Sequence, residues 1–150
     1  MTRGLKEITE VGVAVKDLEK TTQIFVDVLG GEAGEVFDVP LFGMRFRMVR
    51  LGNVDFELME PTDDEGMIAR FIRTKGEGIH HVAFSVDDLS EEMTRVKDKG
   101  GQLINDEPLE IFGGKLSFLH PKLFSGVAIE LVEYPQGWKG WIVPQSKKGE

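Results

Sequence analysis

Four residues of metal-binding or proton-carrying type stand inside otherwise apolar runs, and they repeat as two pairs. Glu10 opens the run EVGVAVKDL and His81 opens HVAFSVDDL. Glu57 lies between Phe56 and Leu58 in FELMEP, and Glu130 lies between Ile129 and Leu131 in IELVEYP. The members of each pair are roughly seventy positions apart, as in an internal duplication. Three carboxylates and one imidazole brought to one cavity would repel, and crowding would raise at least one carboxyl pKa until it protonated. A divalent cation removes that conflict directly. The oxygen-rich donor set favours hard or borderline ions, and a zinc thiolate centre is excluded because the chain has no cysteine. The competing explanation makes Glu57 and Glu130 water-facing residues of edge strands and Glu10 a surface residue. Matched positions in the repeat favour a shared site.

The elements that must position these residues follow from periodicity. Val11, Val13 and Val15 alternate with Glu10, Gly12 and Ala14, which predicts a strand. Asp17 is placed to cap a helix carrying Leu18, Thr22, Phe25 and Leu29 at helical spacing, with Ile24 and Val28 beside them and Gly30 at its end. The second half copies the pattern. Val82, Phe84 and Val86 mark a strand, Asp88 and Glu91 stand as a capping box, Leu89, Met93 and Val96 form the helix stripe, and Gly100 ends it. Further strands are predicted near 35–38, 43–51 and 53–60, and again near 102–105, 115–120 and 126–134. Gly52-Asn53 reads as a hairpin turn. A helix over 66–73, followed by residues 74–78, links the halves.

The prediction is an α+β fold of two tandem βαβββ modules with pseudo-twofold symmetry. Module one spans about 7–61, the linker helix about 66–78, module two about 79–134, and a tail with two tryptophans covers 135–150. That tail is expected to pack locally or to help an interface. Strand parity sends the valines towards the helices. Glu10, Gly12 and Ala14, like His81, Ala83 and Ser85, then face the other way, where small residues beside a ligand predict a cleft floor.

Composition narrows the function classes. The length of 150 residues suits one domain with a sizeable core. The net charge of −8 argues against nucleic acid and against anionic membranes. No apolar run approaches the roughly 20 residues of a membrane span, and the N-terminal residues lack the apolar core of a signal peptide. The expected compartment is the cytoplasm. His80 has the opposite parity from His81 and reads as structural, and His120 before Pro121 reads as a turn residue. Arg45, Arg47 and Arg50 alternate along one strand. They are candidates for an acidic substrate tail, with a solvated strand face the preferred reading.

The segments VGVAVKDL, GEGIHHVAFSVDDL, LSFLHPK and GVAIELVE resemble the vicinal oxygen chelate superfamily, which includes glyoxalases, extradiol dioxygenases and bleomycin-resistance proteins. Within it they look most like the methylmalonyl-CoA epimerases. The likeness covers nearly all of residues 7–134. It implies a glyoxalase-like fold, a homodimer, and a divalent ion (manganese, magnesium, cobalt, iron, nickel, zinc or calcium) held by Glu10, Glu57, His81 and Glu130. It also implies a metal-dependent isomerase, epimerase or lyase that acts through an enolate on an acyl-CoA or a small oxo compound, with Glu130 as both ligand and acid/base. Two positions depart from the family. Glu10 stands where its members usually carry His. Leu41 stands where epimerases carry a catalytic Glu, two residues before the Gly entering the third strand, here Gly43. One proton carrier is then missing unless Glu35, Asp38 or Glu60 supplies it. Both departures favour the alternative, a non-catalytic small-molecule binder of the bleomycin-resistance type. An extradiol oxygenase would need two His and one carboxylate on iron, and only His81 is in place.

Overall fold

In the computed structural model, which describes residues 4–135 and Gly137, the duplication is visible as two compact units. The expectations for the tryptophans at 138 and 141 lie outside the described residues. Eight strands and three α-helices, among the described residues, give the α+β fold that the repeat predicts.

The first unit runs β1 (Ile8–Ala14), α1 (Leu18–Leu29), β2 (Glu32–Val39), β3 (Met44–Leu51), β4 (Val54–Pro61) and α2 (Met67–Lys75). Its strands lie in the order β2-β3-β4-β1, with β1 parallel to β4 and the remaining neighbours antiparallel. Val15, Leu18, Val49 and Leu58 are its buried centre, with Val13, Phe25 and Phe56 packed around them. This cluster marks the α1-facing side of the sheet, and Val13 and Val15 lie on it as their alternation requires.

The second unit runs β5 (Gly78–Ser85), α3 (Leu89–Asp98), β6 (Leu109–Ile111), β7 (Gly114–Leu119) and β8 (Ala128–Glu133), in the order β5-β8-β7-β6. Val86, Leu89, Met93, Leu119 and Leu131 form its helix-side core. The residues before β1 also belong to this unit. The Gly4 amide donates to Glu92 Oε2 at 2.8 Å, and Lys6 and Ser85 share a backbone bond of 2.9 Å.

The starts of α1 and α3 are each held by two carboxylates, one local and one from the last strand of the module. Asp17 accepts from the Lys20 amide at 3.0 Å, and Glu60 accepts from Leu18 at 2.9 Å. In the second module, Asp88 accepts from Glu91 at 3.0 Å and Glu133 from Leu89 at 2.8 Å. Both partners satisfy first-turn amides and put negative charge at the positive end of the helix dipole. The repeats FELMEP and IELVEYP therefore carry two carboxylates each, one buried in mid-strand and one that caps. The Gly-Gly pairs are also explained. Gly30 adopts φ 72° to end α1, and a Cβ on Gly31 would sit 2.6 Å from Val49 Cγ1.

One strand is displaced from its prediction. Residues 102–105 contribute only an isolated bridge, Leu103 to Leu119, and β6 forms at 109–111. The Asn105 carboxamide explains the shift. Its oxygen accepts from the Phe118 amide at 2.8 Å, where a ladder partner would otherwise stand, and its nitrogen donates to the Glu107 carbonyl at 2.7 Å. A side chain that pairs with the backbone competes with the ladder.

Ser117 is fully buried opposite Leu131, and its hydroxyl has no hydrogen-bond partner among the described residues. An unsatisfied buried hydroxyl carries its desolvation cost without return. Ser117→Ala is therefore expected to stabilise the fold by about 1 kcal/mol, a rise of roughly 2–4 °C in thermal unfolding. A lower midpoint would show that the hydroxyl is bonded after all.

Candidate metal centre

The second unit brings two of the predicted residues together. Parallel pairing of β5 with β8 sets Ala83 beside Glu130 and His81 beside Ala128. Phe84, Val86 and Leu131 pack towards α3, so His81 and Glu130 take the other face. Both are buried, and His81 Nε2 lies 3.7 Å from Glu130 Oε2. That distance exceeds a hydrogen bond and suits two ligands of one ion, whose bonds of about 2.0–2.2 Å set them roughly 3–4 Å apart. Open space beside them is less than expected. Ala83 is fully buried and packs with Leu116 and Val132, so that part of the face is core and not cleft floor.

In the first unit, Phe56 and Leu58 pack towards α1, so Glu57 takes the opposite face of β4. Parity gives Glu10 the same face on β1, and the register sets Gly12 beside Glu57. Glu10 is 4% exposed and Glu57 is 7% exposed, which removes the reading of either as a water-facing residue. Within the second unit, buried His81 and Glu130 offer an imidazole nitrogen and a carboxylate able to hold a metal ion. Such a donor set suits a hard or borderline divalent cation, and a buried carboxylate is costly without a counter-charge.

The remaining candidates have other work. Arg50 donates to both oxygens of buried Asp55, at 2.5 and 3.0 Å, and the hydrogen bonds to Asp55 raise its pKa above the ordinary arginine value. Arg45 donates to Glu60 at 2.5 Å, which raises its pKa in the same way. Arg47 donates to the Gly34 carbonyl at 2.9 Å and lies 3.4 Å from Glu19. These three arginines brace their own module. Glu60 is held by Arg45 and the Leu18 amide, so it does not replace the missing proton carrier. Glu35 and Asp38 are exposed on β2. His80 stands edge-on to Phe71 with ring centroids 4.9 Å apart, and His120 Nδ1 accepts from the Lys122 amide at 3.1 Å as a turn cap. Leu41 is 73% exposed on a single 3₁₀ turn, Pro40–Phe42, that Gly43 closes with φ 61°.

Residues 9–118 match the model of the glyoxalase/bleomycin resistance protein/dioxygenase superfamily. The chain belongs to that superfamily. Within it, the chain is 37% identical over 129 residues to the mitochondrial methylmalonyl-CoA epimerase of Mus musculus, an alignment covering 85% of this chain and 72% of the mouse protein. It is 33% identical to the ethylmalonyl-CoA/methylmalonyl-CoA epimerase of Cereibacter sphaeroides, across 83% of this chain and 95% of that one. Among solved structures, a variant of Streptomyces coelicolor methylmalonyl-CoA epimerase in complex with 2-nitronate-propionyl-CoA superposes with a TM-score of 0.82 at 29% identity, covering 88% of this chain and 99% of the other. The superfamily resemblance read from the sequence is borne out, and methylmalonyl-CoA epimerases are among the relatives. Among the described residues, no helix is long and apolar enough to cross a membrane.

Proposed function

We propose that this chain is a metal-dependent epimerase of the methylmalonyl-CoA type. Its substrate is an acyl-CoA thioester with an acidic α-proton, and Glu10, Glu57, His81 and Glu130 are ligands to one divalent ion. The observation that carries the reading is the pair His81 and Glu130 in the second unit, both buried, with Nε2 3.7 Å from Oε2, in a chain whose relatives include enzymes named for epimerisation of malonyl-type thioesters.

The chemistry follows from the donor groups. A divalent ion in this centre supplies positive charge against which the acyl oxygens can bear an enolate's negative charge. The Glu130 carboxylate takes the α-proton from one face of the α-carbon, and inversion requires a second donor to deliver a proton to the other face. The nitronate bound by the Streptomyces relative is a planar anion shaped like an enolate, which agrees with this chemistry.

Metal analysis tests the centre. Protein purified without chelator is expected to carry one divalent ion per chain. His81→Ala should weaken its binding by more than about 100-fold, since changes even outside the ligand shell cost 10–100-fold. Glu57→Ala should cost less, because His81 and Glu130 already stand as a close pair within the second unit. A wild-type chain that binds no divalent ion at millimolar concentration would overturn the reading and leave the binding-protein alternative.

A further inference from the structure

The described residues hold six arginines, and five are engaged. Arg45, Arg50 and Arg95 pair with Glu60, Asp55 and Glu92, while Arg47 and Arg73 donate to the carbonyls of Gly34 and Asp64. Arg70 is the exception, as its guanidinium has no hydrogen-bond or ion-pair partner among the described residues. It stands on α2, which bears Arg70, Arg73 and Lys75 and no acidic residue, in a chain of net charge −8. It also borders a hollow of 310 Å³ whose other walls include Leu41, Phe42 and Met67. Two carboxylates share the rim. Asp63 is turned onto the amides of Glu65 and Gly66, at 2.9 and 2.7 Å, which disperses its charge into the backbone. Glu65 is exposed. The hollow thus sets a few apolar side chains within a largely polar rim beside one exposed guanidinium, unpartnered among the described residues, that can form a two-pronged bond with a planar or tetrahedral oxyanion.

We propose that Arg70 is a specificity residue that receives an anionic oxygen group of the substrate, either a phosphate of the CoA moiety or a free carboxylate of the acyl group. Leu41 and Met67 shield the apolar atoms beside that group. The inference rests on the acyl-CoA reading given above, and it assigns to Arg70 the role that the arginines of β3 are not available to play.

The test compares wild type, Arg70→Ala and Arg70→Lys. Calorimetry with CoA alone reads binding without turnover, and α-proton exchange is then measured on malonyl-type thioesters of CoA and of pantetheine, which lacks the phosphates at issue. Arg70→Ala is expected to raise KM for the CoA thioester about tenfold, the scale of one charge-assisted hydrogen bond, with kcat nearly unchanged and partial recovery in Arg70→Lys. If the CoA phosphate is the partner, CoA binding weakens alike and the pantetheine thioester is unaffected. If the acyl carboxylate is the partner, both thioesters lose and CoA binding is unchanged. Equal KM values for wild type and Arg70→Ala on both thioesters would overturn the assignment while leaving the epimerase reading intact. Wild type that neither binds CoA nor exchanges either substrate would overturn both.

Discussion

Glu130→Gln is expected to lower exchange of the substrate α-proton with solvent deuterium by roughly 10³-fold, within the range that a positioned acid/base supplies. Three features make this the sharpest single change. The residue is 5% exposed, so water is poorly placed to take over as base. The glutamine keeps an oxygen for the metal but has no basic carboxylate, so metal content should fall far less than exchange. The substitution is also close to isosteric in a packed strand, so the fold should survive. Circular dichroism, metal content and exchange measured on the same preparation separate these effects. Exchange that persists in Glu130→Gln with metal retained would remove Glu130 as the base and direct attention to another group on the same face.

The sequence made most of this site legible because a duplication encodes it twice. Glu10 and His81, or Glu57 and Glu130, would be unremarkable alone. As matched insertions into apolar strands they mark one face of each module, and the structure puts all four in buried positions on that face. The helix caps Asp17 and Asp88 were legible for the same reason. The second carboxylate of each strand repeat was not. Glu60 and Glu133 act on amides 42 and 44 residues away, and no local pattern announces such a partner. The arginines of β3 were ambiguous in one dimension. Whether Arg45, Arg47 and Arg50 serve a substrate or a strand depends on antiparallel register, which sets Arg45 beside Glu60 and Arg50 beside Asp55. The misplaced sixth strand has a different cause, since Leu103 and Ile104 carry strand character but the Asn105 side chain takes the ladder position at Phe118.

Leu41→Glu is expected to raise the rate of epimerisation about 100-fold over wild type, the lower range of a general acid/base contribution, while exchange of the α-proton changes little. The argument is stereochemical. Inversion at the α-carbon requires removal of a proton from one face and delivery to the other. A lone Glu130 can remove a proton and return it to the face it came from, which exchanges deuterium without inverting the centre. The epimerase pattern puts a second carboxyl at the position of Leu41, and leucine carries no proton. The fold should accept the change. Leu41 is 73% exposed on a short turn whose path is fixed by Gly43, so its side chain contributes little to the core. Chiral analysis of product alongside deuterium content gives both numbers from one incubation. Wild-type exchange that is fast while inversion is slow, with inversion restored by Leu41→Glu, would establish that this one residue decides the stereochemical outcome. Wild-type inversion as fast as exchange would show that another group already serves the second face, and Leu41 would lose that role.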